Sequence, residues 1–337
     1  MRLFYEPTIR SLAVFLERVD DIESEIDDHK KLLVSKLYKS YSTSDTLSVI
    51  FQGPLGNISD IEYFAKQLQI QNNGNVMVLG IDDYNKFLNT SNEDVIPVLA
   101  QEAAEEIFNQ KIKNVQIIGY SFGGHIGIEV SRYLLERGVN VLNLSIIESG
   151  SIPNVHVDNI ILEFIYLNNY GVSLSDLGLE KENIISEEFS DTKNSNITIN
   201  SIKNHLNNLN DRSIINKVCN SSEDERFEIY TNVVYKKTGV LLGKGKILEK
   251  FKIFKKTFNV QKQTPSPYFG NINYYIAKDN DDFFAQSFKL LKLWENAILG
   301  EIKVDYIGGN HFSCIVNHNL AKELAIKLGK ECKNDEN

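Results

Sequence analysis

Short apolar runs alternating with helical stretches constrain this chain more than any other feature. The runs are 47–51 (LSVIF), 76–81 (VMVLGI), 115–120 (VQIIGY) and 141–147 (VLNLSII). A strand that is apolar at nearly every position is buried on both faces. Helical patterns over 59–69, 94–109 and 123–138 separate the runs. This alternation predicts a parallel sheet covered by helices on both sides. The rhythm stops near residue 151. It returns with 272–277 (INYYIA), a helix near 282–297, 302–307 (IKVDYI) and a helix near 319–329. Residues 155–265 lack regular strands. They hold the helical patterns ILEFIYL, 202–209, ERFEIYTNVVYKKTG and GKILEKFKIFKKTF. The class is therefore α/β, with a helical insertion over about 151–270. The insertion follows the C-terminal end of a strand, where a lid would sit.

The remaining chain divides by texture. Residues 7–19 (PTIRSLAVFLERV) predict a helix, with Pro7 in its first turn and Ile9, Leu12, Ala13 and Leu16 at helical spacing. Residues 20–45 are polar and charge-rich. They are predicted to be a linker, with an amphipathic turn or two near 32–37. Residues 331–337 form a tail. No internal repeat is present.

A chain of 337 residues with 42% hydrophobic residues can bury a large core. Its net charge of −9 argues against a nucleic-acid partner, which needs a basic face. No apolar run reaches the length of a membrane span, and the N-terminus has no signal-peptide pattern. Cys219, Cys314 and Cys332 show no paired spacing, so neither a disulfide framework nor a metal site is predicted. A cytoplasmic location is the natural expectation.

The chemistry enters at Gly119-Tyr120-Ser121-Phe122-Gly123, a G-x-S-x-G motif. A serine nucleophile must stand on a sharp strand-to-helix turn, and flanking glycines let that turn close. Here a predicted strand precedes the motif and a predicted helix follows it. The N–H of Phe122, at the helix N-terminus, would face a developing oxyanion.

A serine needs a base within reach, and the base needs an orienting acid. The histidines are His29, His125, His156, His205, His311 and His318. His311 lies in GGNHF, directly after the last predicted strand, where a loop would return to Ser121. His125 falls on the nucleophile helix and reads as structural. His29 lies in the linker, His156 and His205 lie in the insertion, and His318 opens the last helix. Two strand ends offer an acid. Glu148 ends the strand after the nucleophile unit, and Asp279, Asp281 and Asp282 follow INYYIA. Glu148 is favoured, with Asp279 or Asp281 as the alternative.

Taken together, these residues resemble the thioesterase domains that end nonribosomal peptide and polyketide synthases, which have the α/β-hydrolase fold. GYSFGG resembles their nucleophile elbow and GGNHFSCI their histidine loop. Trp294 matches a tryptophan common before the last strand, and FQGPLGNI with YFAKQL resembles the first strand-end loop. The resemblance covers about 46–330. PTIRSLAVFLE is similar to the last helix of a phosphopantetheine carrier domain, so 1–19 would be a carrier remnant.

The resemblance implies release of an acyl or peptidyl chain from carrier-bound phosphopantetheine through a Ser121 acyl-enzyme, by hydrolysis or cyclisation. It implies no cofactor or metal of its own, and as partner an acyl or peptidyl carrier domain upstream. In integrated members the acid position falls on Glu148, where the family usually has Asp. In free-standing editing members it falls on the Asp279–Asp282 cluster. The second oxyanion donor falls on Pro54, which has no N–H, so Gly53 or Leu55 would donate instead. Rival readings are a free-standing editing thioesterase, a general carboxylesterase and a non-catalytic binding module. In the insertion, Phe164, Tyr166, Tyr170, Tyr230 and Tyr235 are candidates for an acyl pocket or for core.

Overall fold

The computed structural model describes residues 31–40, 45–53, 55, 58–150, 156–178, 196–199, 214–279, 291 and 294–334. The expected carrier-like helix, the 202–209 helix, most of the 282–297 helix, His29, His205, Pro54, Asp281 and Asp282 lie outside these residues. The chain divides into two compact units. One comprises Met1–Ile152, Lys256–Asn280 and Ser287–Asn337, and the other Pro153–Lys255 and Asp281–Gln286.

The first unit is built on a seven-stranded sheet. Its strands are β1 (Leu33–Tyr38), β2 (Thr46–Phe51), β3 (Asn75–Ile81), β4 (Asn114–Tyr120) and β5 (Asn140–Ile147), with two later ones. Two-residue strands β6 (His156–Val157) and β7 (Asn196–Ile197) form a separate parallel pair in the second unit. The sheet is completed by β8 (Ile272–Ala277) and β9 (Ile302–Ile307), in the order β1-β3-β2-β4-β5-β8-β9. Every pairing is parallel except β1 with β3. All six residues of β2 are buried, as are the last six of both β3 and β4. A fully buried Val, Leu or Ile contributes about 1.5–3 kcal/mol, so these central strands anchor the sheet. Ile50, Ile118, Tyr120 and Tyr275 pack on one face against Phe64 and Leu328. Those two come from the helices Glu62–Asn72 and His318–Asn334.

A hydrogen-bond network centred on Gln116 runs through this core. Gln116 Oε1 accepts from Ser48 Oγ at 2.9 Å and Asn72 Nδ2 at 2.8 Å, and Gln116 Nε2 donates to the Leu328 carbonyl at 3.2 Å. A buried amide left unpaired would cost about 1–3 kcal/mol.

The expected linker over 20–45 needs correction at its end. Residues 33–38 form an edge strand, not an amphipathic turn. Its sequence LVSKLY alternates half-buried and exposed positions, and Glu102 Oε2 accepts the Leu33 N–H at 3.1 Å. Apolar residues at 32, 33 and 37 fit both a helical and a strand period, and six residues are too few to separate them. Exposed Lys36 sits on the outer edge, where a charge discourages further strand pairing.

The second unit is helical. Asn159–Leu167 begins behind Asp158, whose side chain accepts the Ile161 N–H. Glu223–Thr238 carries a reciprocal cap between Ser222 and Glu225 and ends at left-handed Gly239. Phe164, Tyr166, Tyr170 and Tyr230 are all buried. Tyr166 Oη bonds the Tyr170 hydroxyl at 2.6 Å and the Ile247 carbonyl at 2.9 Å, with Phe251 alongside. These rings form the unit's own core, and Tyr235 is exposed. Among the described residues no helix is long and apolar enough to cross a membrane.

Among the described residues of this unit, Glu163 and Arg226 form a buried ion pair. Glu163 is fully buried and receives Arg226 Nε at 2.7 Å, Arg226 Nη2 at 2.8 Å and Tyr230 Oη at 2.8 Å. Glu163→Gln leaves the guanidinium buried without a counter-charge. The expected loss is about 3–5 kcal/mol, read as a lower urea midpoint for the unit's helical signal.

Candidate active site

Ser121 stands between β4 and the helix Gly123–Glu136 with φ of 54°. A non-glycine residue held there costs about 1–3 kcal/mol. The surroundings hold it. The Ser121 N–H donates to the Ile147 carbonyl at 2.9 Å, and its own carbonyl accepts the Gly124 N–H at 3.0 Å. The motif's glycines are steric requirements. A side chain on Gly119 would meet the Gly124 Cα at 2.5 Å, and one on Gly123 would meet the Phe51 carbonyl oxygen at 2.2 Å. The elbow can close only without them. Phe122 is the N-cap of this helix, at the end whose N–H groups have no acceptor within the helix.

Gly53 follows β2 beside the serine. A side chain there would lie 3.7 Å from Ser121 Cβ and 3.8 Å from Oγ. Leu55 is half-buried nearby in sequence.

Glu148 follows β5 directly and is the second left-handed non-glycine residue of this region, with φ of 49°. Its N–H donates to the Tyr275 carbonyl at 3.0 Å. One carboxylate oxygen accepts the Ala277 N–H, and the other lies 3.3 Å from His311 Nδ1. Glu148 and His311 are both buried. A carboxylate on Nδ1 selects the tautomer that leaves Nε2 free to take a proton.

The loop carrying His311 is braced from within and from below. Asn310 Oδ1 accepts the N–H groups of Phe312 and Ser313 at 3.1 and 2.9 Å, and Ser313 Oγ accepts the Asn310 N–H at 2.9 Å. Gly309 takes a left-handed φ of 82°. The His311 carbonyl accepts the Tyr120 hydroxyl at 2.5 Å and the Cys314 thiol at 3.6 Å. Tyr120 therefore ties the histidine loop to the residue before Ser121, a link that sequence reading missed. Its only signal was an aromatic at the first variable position of G-x-S-x-G. Burial, followed by the charge of Glu148, pushes the Cys314 thiol well up, so it stays protonated.

Asp279 has a different partner. Its carboxylate accepts the Gly309 N–H at 3.0 Å, and its N–H donates to the Gly309 carbonyl at 2.9 Å. It fastens the base of the histidine loop. His318 stacks on Tyr63 at 4.1 Å, and His156 is exposed.

His125 lies under the elbow. Its Nε2 meets the Gly150 carbonyl at 3.1 Å, and its ring lies 4.8 Å from Trp294. Burial lowers its pKa from 6.5 to about 4, with the Gly150 bond opposing. The folded state thus binds this proton less readily than the unfolded chain. Stability from neutral His125 is complete above pH 6.5 and is lost as pH falls towards 4. The loss expected over that window is about 3 kcal/mol. Urea unfolding at pH 7 and pH 4.5 measures it, and His125→Phe is expected to flatten the difference.

The parallel sheet with one antiparallel edge, and a serine on the turn between a central strand and its helix, define an α/β-hydrolase fold. No protein-family model matches the chain. Pyochelin synthetase PchF of Pseudomonas aeruginosa strain UCBPP-PA14 is 30% identical over 100 residues, covering 30% of this chain and 6% of that protein. The PAO1 strain's PchF is 29% identical over 100 residues, with the same coverage. This chain therefore matches only a small part of the curated relatives' length. The structure of a holo four-domain nonribosomal peptide synthetase bound to AMP and glycine superposes with TM-score 0.60 at 15% identity, covering 96% of this chain and 21% of that one.

Proposed function

We propose that the chain is a serine thioesterase that releases an acyl or peptidyl chain from carrier-bound phosphopantetheine at the end of a nonribosomal peptide or polyketide assembly line. The observation that carries this reading is the Glu148–His311 contact at 3.3 Å on the same sheet edge as left-handed Ser121. The similarity to parts of two synthetases supports the carrier as partner, and residues 1–19 would be the end of such a carrier.

In this mechanism Ser121 Oγ attacks the thioester carbonyl while His311 Nε2 takes the hydroxyl proton. Glu148 holds the imidazole and stabilises its cation. The Phe122 N–H and a donor from Gly53 or Leu55 stabilise the oxyanion. The intermediate collapses, the pantetheine thiolate leaves, and the imidazolium returns the proton to its sulfur. An acyl-enzyme remains. Water, or an amine or hydroxyl of the chain itself, then attacks the ester with His311 again as base. The enzyme supplies no cofactor to these steps.

The test offers an acyl N-acetylcysteamine thioester and a matched p-nitrophenyl oxyester. The thioester is expected to turn over and leave a transient acyl mass on the peptide bearing Ser121. Turnover of the oxyester alone would make the chain a general carboxylesterase. Turnover of neither, with no adduct, would leave a binding module.

A further inference from the structure

The backbone directly after Glu148 is held more heavily than a turn requires. The Ser149 carbonyl accepts two buried donors, Trp294 Nε1 at 2.9 Å and the Tyr274 hydroxyl. The next carbonyl, Gly150, accepts His125 Nε2 at 3.1 Å and Gln261 Nε2 at 3.4 Å. Four side chains from four separate stretches of sequence converge on two consecutive carbonyls. Trp294, Tyr274 and His125 are each at most 1% exposed. Ser149 also presses on the elbow helix, because a side chain on Gly124 would meet Ser149 Oγ at 2.4 Å and Cβ at 2.6 Å.

The residue these bonds flank needs restraint. Glu148 sits at φ of 49°, a conformation that persists only when its surroundings over-determine it. Relaxation to an ordinary strand conformation would turn its carboxylate away from both the Ala277 N–H and His311. We propose that Trp294, Tyr274 and His125 are positioning residues for Glu148, clamping the Ser149–Gly150 carbonyls so that the strained acid keeps one oxygen on the Ala277 N–H and the other on His311 Nδ1. This inference rests on Glu148 being the catalytic acid. Trp294 then serves the reaction through a carbonyl, without touching substrate.

The test uses the full chain, thioester turnover, and the variants Tyr274→Phe and Trp294→Phe alone and combined with Glu148→Gln. Both conservative changes keep a ring and remove one donor. Each is expected to lower kcat about tenfold, because small misplacements of a catalytic group are costly, with KM within about twofold. On the Glu148→Gln background the same changes should lower kcat by less than about twofold, since the group they position has already gone. Full kcat in both single variants overturns the proposal, as does an equal loss on the two backgrounds. Should Trp294→Phe fail to fold, Tyr274→Phe, which removes a single oxygen, carries the test. Wild-type kcat in Glu148→Gln alone would instead remove the acid assignment, and the proposal with it.

Discussion

Ser121→Ala is expected to lower thioester turnover by about 10,000-fold or more, with no acyl mass trapped on the protein. The substitution removes one oxygen and leaves the elbow's demands unchanged, since alanine meets the same penalty at φ of 54° as serine. Folding stability should therefore stay near wild type, and lost activity can be read as lost chemistry. Ser121→Gly sharpens the point. Glycine accepts this backbone freely, so it should be inactive and more stable by about 1 kcal/mol. A protein that is stabilised when its nucleophile is removed keeps strain there for function. Wild-type turnover in Ser121→Ala would sink the serine mechanism outright.

The elbow was legible because its constraints are local. Gly119 and Gly123 have no room for a side chain, and that need is written into five consecutive residues. The central strands were legible because burial on both faces leaves them largely apolar, with Ser48 and Gln116 bonded to each other inside. β1 was not, because an edge strand carries Lys36 on its exposed face and Ser35 on its half-buried one, which blurs its period. The aromatic residues of the insertion could be read as core or pocket from spacing alone. Their contacts, such as Tyr166 with Phe251 and Phe254, depend on helices far apart in sequence. The clamp on Ser149 and Gly150 was invisible for the same reason. Its donors come from positions 125, 261, 274 and 294, and no motif links them. The choice of acid was open because β5 and β8 are adjacent parallel strands, so both ends deliver a carboxylate to one edge.

The same adjacency decides what each carboxylate does when changed. Glu148→Gln is expected to lower kcat by about 1,000- to 10,000-fold. The amide keeps the shape and can still accept the Ala277 N–H through its oxygen. Its other atom is then an NH2 group facing His311 Nδ1, donor against donor, and the tautomer with a free Nε2 loses its support. Glu148→Asp should lose part of that activity for a different reason. The existing contact is already 3.3 Å, and a side chain shorter by one methylene cannot hold the Ala277 N–H and also reach the ring. Asp279→Asn should cost less than about threefold, because its amide oxygen still accepts the Gly309 N–H that Asp279 holds. Measured as kcat for one thioester, the order should be wild type, Asp279→Asn, Glu148→Asp, Glu148→Gln. A severe loss in Asp279→Asn or Asp281→Asn beside an active Glu148→Gln would move the acid to β8. The arrangement at β5 would then be a fold contact that happens to touch the imidazole.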